Sequence, residues 1–144
     1  MFSQWFIQKK NDKKVGFEDV LYAIQNPHVC YLINVLPSNE QSCLIIGSMP
    51  YENEEKEINE LLKNNKHDTI IIIYGKNSCD NKVEEKYKQL FDLGFSQLYI
   101  YYGGLFEWLL LQDIYGNDFV TTTPNLDLLK YRPRPLFQLP TIRN

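Results

Sequence analysis

No arginine occurs before Arg132 in this 144-residue chain, and only Arg134 and Arg143 follow it. A bidentate guanidinium clamp for a sulfo or phosphoryl group can therefore come only from the C-terminal segment. Long apolar runs are also missing. The apolar stretches at 70–74 and at 105–111, the latter broken by Glu107, fall well short of the ~20 residues that span a bilayer, and they fit a buried core. Residues 1–14 lack the apolar stretch of a signal peptide, and their lysines (Lys9, Lys10, Lys13, Lys14) follow the apolar residues instead of preceding them. The three cysteines, Cys30, Cys43 and Cys79, are widely spaced and form no C-x-x-C pair, and His28 and His67 stand far apart. That pattern argues against a disulfide framework and a metal site. There is no G-x-G-x-x-G and no G-x-x-x-x-G-K-[ST], so no cofactor is expected. A net charge of −3 lacks the basic footprint of a nucleic-acid binder. These absences describe a soluble intracellular protein, expected in the cytoplasm and not at a membrane.

What remains is ordinary for one globular domain: 44% hydrophobic and 23% charged residues, with ten Tyr and eight Phe. Phe17, Val20, Leu21 and Ile24 recur at helical spacing and predict a short helix over 17–25, ended by Pro27. The apolar run 30–36, closed by Pro37, suits a strand buried on both faces. Residues 43–46 read as another short strand. Residues 52–64 read as a helix with an acidic first turn and an inward stripe of Ile58, Leu61 and Leu62. The β-branched stretch 69–74 is the clearest central strand, stopped by Gly75. A polar loop leads into a helix over 82–93, with Val83, Tyr87, Leu90 and Phe91 inward, Gly94 at its C-terminal cap, and Glu84 facing Lys88. A strand over 97–101 and the Gly103-Gly104 turn follow. The nearly all-apolar helix 105–114 should be buried, with Trp108 in the core.

Alternating strands and helices predict an α/β fold on one parallel sheet with helices on both faces. Ligands of such sheets bind at the carboxyl ends of the strands, which directs attention to the loop after the central strand. Gly75, Lys76, Asn77, Ser78, Cys79, Asp80, Asn81 and Lys82 are the anion-loop candidates. From Thr121 onward prolines punctuate the chain, and a turn of helix near 126–130 followed by an extended arm is expected. Tyr131, Arg132 and Arg134 form a basic, proline-stiffened segment. They are candidates for contact with a protein partner, while Leu136, Phe137 and Leu139 equally suit an arm packed back on the domain.

Several features in order resemble a rhodanese-like domain. The strand 70–74 ends at a helix-opening loop, the helix closes on Leu93-Gly94-Phe95, and a strand then leads to Gly103-Gly104 and Trp108. Upstream, residues 32–36 sit where that family has its aspartate-bearing first strand, and Gly47-Ser48-Met49-Pro50 where it has Gly-His-Ile-Pro. The resemblance covers roughly residues 17–114, and with the change of composition at Thr121 the chain is expected to divide into an N-terminal extension over 1–16, the rhodanese-like domain over 17–120 and the arm over 121–144.

The family's chemistry fits this chain poorly. In active members a cysteine follows the central strand, backbone N–H groups and a helix N-terminus hold a persulfide or oxyanion, and an arginine ends the loop. Here Gly75 takes the cysteine's position and Asp80-Asn81-Lys82 the arginine's region. Asn34 and Leu36 replace the family's Asp and Arg, and Ser48 its histidine. The same missing arginine weighs against the related phosphatase, whose loop is Cys-x5-Arg. The expectation is a catalytically inactive binding or regulatory module for a protein partner or small anion. The alternative is a sulfurtransferase that uses Cys79, with Lys76 and Lys82 favouring its thiolate.

Overall fold

The computed structural model describes residues 13–124 and 127–137. Its frame is three parallel strands. β2 (Ile70–Tyr74) lies between β1 (Cys30–Asn34) and β3 (Gln97–Tyr101), with Leu32 opposite Ile72 and Ile72 opposite Tyr99. One parallel bridge continues the sheet at each edge, Lys14 to Ile100 beyond β3 and Ser48 to Leu32 beyond β1. The edge segment at 13–15 is bound to β3 through Ile100 N–H to Lys13 O (2.7 Å) and Val15 N–H to Ile100 O (3.1 Å).

Strand alternation divides the buried side chains into two cores. Leu32, Ile72, Tyr74 and Tyr101 meet α1 (Phe17–Gln25) and α4 (Gly104–Tyr115) on one face. Ile33, Ile71, Ile73 and Ile100 meet α2 (Glu54–Lys63) and α3 (Lys82–Asp92) on the other. Ile71 and Ile73 have no exposed surface, and burying an isoleucine is worth about 1.5–3 kcal/mol relative to exposure. The doubly covered parallel sheet is the architecture that the alternating pattern predicts.

The differences lie at the margins. Residues 43–46 are not a sheet strand. Ile45 alone bridges Thr121, in antiparallel sense, flanked by Ile46 N–H to Val120 O and Thr122 N–H to Leu44 O. Cys43, Leu44 and Ile45 are all buried, but a single isolated bridge at Ile45 is too short to make a ladder. The helix expected from residue 52 begins as a 3₁₀ turn, Tyr51–Asn53, before α2. On α3, Val83 and Leu90 stack seven residues apart and are buried, but Phe91 rotates past that face and is 61% exposed, stacked on Tyr87. Gly94 ends α3 with φ +105°, a conformation that other residues resist. Glu84 pairs with Lys13 (3.0 Å) and Tyr102, not with Lys88, which pairs with Asp92 (3.2 Å). In α4, Leu105, Trp108 and Leu109 are buried, yet Ile114 and Tyr115 emerge into solvent at its end, so that helix is not wholly covered.

Beyond Thr121 the arm forms a 3₁₀ turn at Leu128–Tyr131. Tyr131 is 4% exposed within the α1/α4 core, whereas Leu136 and Phe137 are exposed. Leu126, Leu139 and Arg143 lie outside the described residues.

Candidate functional site

β2 ends at the buried Tyr74, and the chain turns sharply through Gly75. The start of α4 holds that turn. Leu105 N–H donates to Gly75 O (2.9 Å) and Phe106 N–H to Lys76 O (2.9 Å). Gly104 permits this approach on two counts. Its φ is +69°, and a Cβ there would stand 2.7 Å from Gly75 O. Gly104 is thus a packing device against the loop, in addition to its place in the turn.

The centre of the loop is filled by Asp80. Its Oδ2 accepts from Lys76 N–H (2.9 Å) and its Oδ1 from Lys82 N–H (3.1 Å). The second bond caps the N-terminus of α3, where the helix dipole favours a negative group. A Cβ on Gly75 would lie 2.5 Å from Asp80 Oδ2, so the carboxylate stands in the space that a side chain at position 75 would need. The backbone donors around that space hold an anion from the chain itself.

Cys79 is exposed and free, and its N–H donates to Asn77 Oδ1 (2.9 Å). The Lys76 and Lys82 N–H groups go to the Asp80 carboxylate, not to the Cys79 sulfur. Cys30 and Cys43 are buried, and desolvation pushes both thiols up, away from the thiolate that nucleophilic chemistry requires. Ser78, Asn81 and Lys82 are exposed.

The C-terminal arm covers one side of the loop. Asn77 Nδ2 donates to Tyr131 O (2.9 Å), and Lys76 Nζ lies 5.9 Å from the Tyr131 ring centre. Lys76 also pairs with Glu40 (3.2 Å). Tyr131, a candidate for partner contact from sequence, is thus buried against the domain and does not offer its ring outward. Arg134 is exposed, and Arg132 is half-buried and donates to Leu129 O (2.7 Å).

The neighbouring positions where the family carries polar side chains are structural here. Buried Asn34 accepts from Leu36 N–H (3.0 Å) and from Gln41 Nε2 (2.9 Å), and Gln41 Nε2 also reaches Leu36 O (3.0 Å). Ser48 Oγ meets Tyr74 OH at 2.6 Å, and that hydroxyl accepts from Ile45 N–H (3.2 Å). Burial pushes the Tyr74 phenol far up. Gln41, Glu40 and the capping role of Asp80 escaped the sequence reading. Only the last had a local signal, an Asp two residues before the first helical residue.

A rhodanese-like domain family model matches residues 4–111. No curated protein matches the chain. Among solved structures, a Lactobacillus plantarum protein is similar at 19% identity, covering 78% of this chain and 96% of its own, with a TM-score of 0.56. The rhodanese-like domain of Anabaena sp. Alr3790 is 15% identical over 92% of each chain, with a TM-score of 0.52. Saccharomyces cerevisiae Ygr203w, a homolog of single-domain rhodanese and the Cdc25 phosphatase catalytic domain, is 17% identical over 76% of this chain and 86% of its own, with a TM-score of 0.51. At these identities the likeness is one of fold.

Proposed function

The chain belongs to the rhodanese-like domain family, and from that premise we propose that it is a catalytically inactive member acting as a binding or regulatory module. One observation carries the reading. Gly75 follows β2 where active members of the family present their thiol, and the Asp80 carboxylate takes up the adjoining space and its N–H donors. Those donors would otherwise hold a small anion, so their engagement favours a protein partner as the ligand. A second reading, a sulfurtransferase acting through Cys79, draws on the exposure of that thiol beside Lys76 and Lys82.

A thiosulfate:cyanide sulfurtransferase assay on the full chain and on Cys79→Ser separates the two. The inactive reading expects background thiocyanate from both proteins. Robust turnover by the wild type that disappears in Cys79→Ser would establish the second reading instead.

A further inference from the structure

We propose that the cleft between the 76–82 loop and the C-terminal arm docks an acidic segment of a partner polypeptide; this rests on the binding-module reading above. The cleft encloses about 470 Å³ and is lined by Lys76, Lys82, Lys130, Arg132 and Arg134, with Asp80 as its one carboxylate. The chain as a whole carries −3, so this concentration of positive charge runs against the bulk.

The charge within the cleft is only partly answered. Asp80 is engaged by two backbone N–H groups, and Lys76 is paired with Glu40. Lys82, Lys130 and Arg134 enter none of the ion pairs among the described residues. Nor do the remaining parts of the chain carry much to offer them. Residues 1–12, 125–126 and 138–144 contain a single acidic side chain, Asp12. Among the described residues these three cationic charges have no ion-pair partner, so they are open to the charge of a ligand.

The form of the cleft selects a peptide over other anions. The converging N–H donors suited to one small anion are occupied by Asp80, and the remaining donors are long cationic side chains spread around the rim. Such a rim suits several carboxylates spaced along a chain, and arginine forks match carboxylate geometry. Pro133 and Pro135 flank Arg134 and restrict the backbone that presents it, which lowers the entropy lost on binding. A long polyanion such as nucleic acid would run beyond the cleft onto a chain whose net charge is −3, whereas a short acidic segment fits within the cationic rim.

The test is a fluorescence-anisotropy titration of the full chain with a labelled hexaglutamate peptide, with hexaglutamine as the neutral control. We expect salt-sensitive binding of hexaglutamate alone. The triple variant Lys82→Glu/Lys130→Glu/Arg134→Glu should weaken it by about tenfold or more. Lys56→Glu/Lys63→Glu/Lys66→Glu, with the same net charge and exposed positions on and just beyond α2, should stay within about twofold of wild type. The neutral triple Lys82→Gln/Lys130→Gln/Arg134→Gln should also weaken binding, and it answers the question if the reversed triple does not fold. Equal loss in the α2 control, no binding of hexaglutamate, displacement by inorganic sulfate at lower concentration than free hexaglutamate, or tighter binding of a single-stranded oligonucleotide would each overturn the proposal. Thiocyanate turnover with peptide binding intact would overturn the inactive reading and leave the docking site standing. Background turnover with no peptide binding would do the reverse.

Discussion

Gly75 and Asp80 compete for one volume: a Cβ on the glycine would lie 2.5 Å from Oδ2 of the aspartate. Two non-bonded heavy atoms cannot share that distance, so a reactive side chain at 75 and the carboxylate at 80 exclude each other as the loop stands. The carboxylate is also the better-anchored partner, since it caps α3 and ties down the N–H of Lys76.

Restoring the thiol should therefore require removing the carboxylate. Gly75→Cys alone is expected to be less stable than wild type and to form no persulfide with thiosulfate. Gly75→Cys/Asp80→Gly is expected to accept one sulfur atom at residue 75, with the thiolate attacking the outer sulfur and sulfite departing. Intact-mass and peptide mass spectrometry check both. Persulfide on the single variant, equal to that on the double, would show that Asp80 yields its place freely.

Asp80→Ala should cost about 1 kcal/mol of stability through the lost cap, read as a drop in thermal midpoint, and Asp80→Asn should cost less. The same Ala variant frees two N–H groups. Titration with sulfate should shift the amide resonances of Lys76 and Lys82 in Asp80→Ala and leave them in place in wild type.

The sheet was legible in the sequence because its signals are local. Four consecutive isoleucines before a tyrosine and a glycine mark a covered central strand, and β2 occupies 70–74 of the 69–74 expected. Phe17–Gln25 likewise follows its own spacing. What stayed hidden depends on distant partners. Nothing near Cys43 announces that Ile45 pairs with Thr121, and nothing near Tyr131 announces that Asn77 binds its carbonyl. Asp80 had a local signal of a different kind. As a charge in an anion loop it reads as repulsive, but as a cap it supplies the anion itself.

Because Tyr131 lies in the α1/α4 core, the arm should matter to folding. Tyr131→Ala is expected to cost about 3 kcal/mol, as for other large buried aromatics, and deletion of residues 131–144 to lower the melting temperature by many degrees. Tyr131→Phe should change little. A truncated chain that melts with wild type would contradict the packing of the arm on the domain.

The pairing of Glu84 gives stability a pH dependence. The Tyr102 hydroxyl and the Lys13 ammonium hold its carboxyl below its ordinary value of 4.5. A depressed carboxyl stabilises the fold above 4.5 and loses that contribution as pH falls through its folded value. Lys13, raised above 10.5 chiefly by Glu84, contributes below 10.5 and loses that as pH climbs through its folded value. The melting-temperature gap between wild type and Glu84→Gln should thus be open at neutral pH and close under acid. A gap unchanged down to strongly acid pH would contradict the pairing.

The most direct measurement is mass spectrometry of the purified wild-type chain after incubation with thiosulfate, with Cys79→Ser alongside. With Gly75 bearing no sulfur and Asp80 holding the N–H donors, no added sulfur atom is expected on either protein. Stoichiometric persulfide on wild type at Cys79, absent from Cys79→Ser, would contradict the inactive reading.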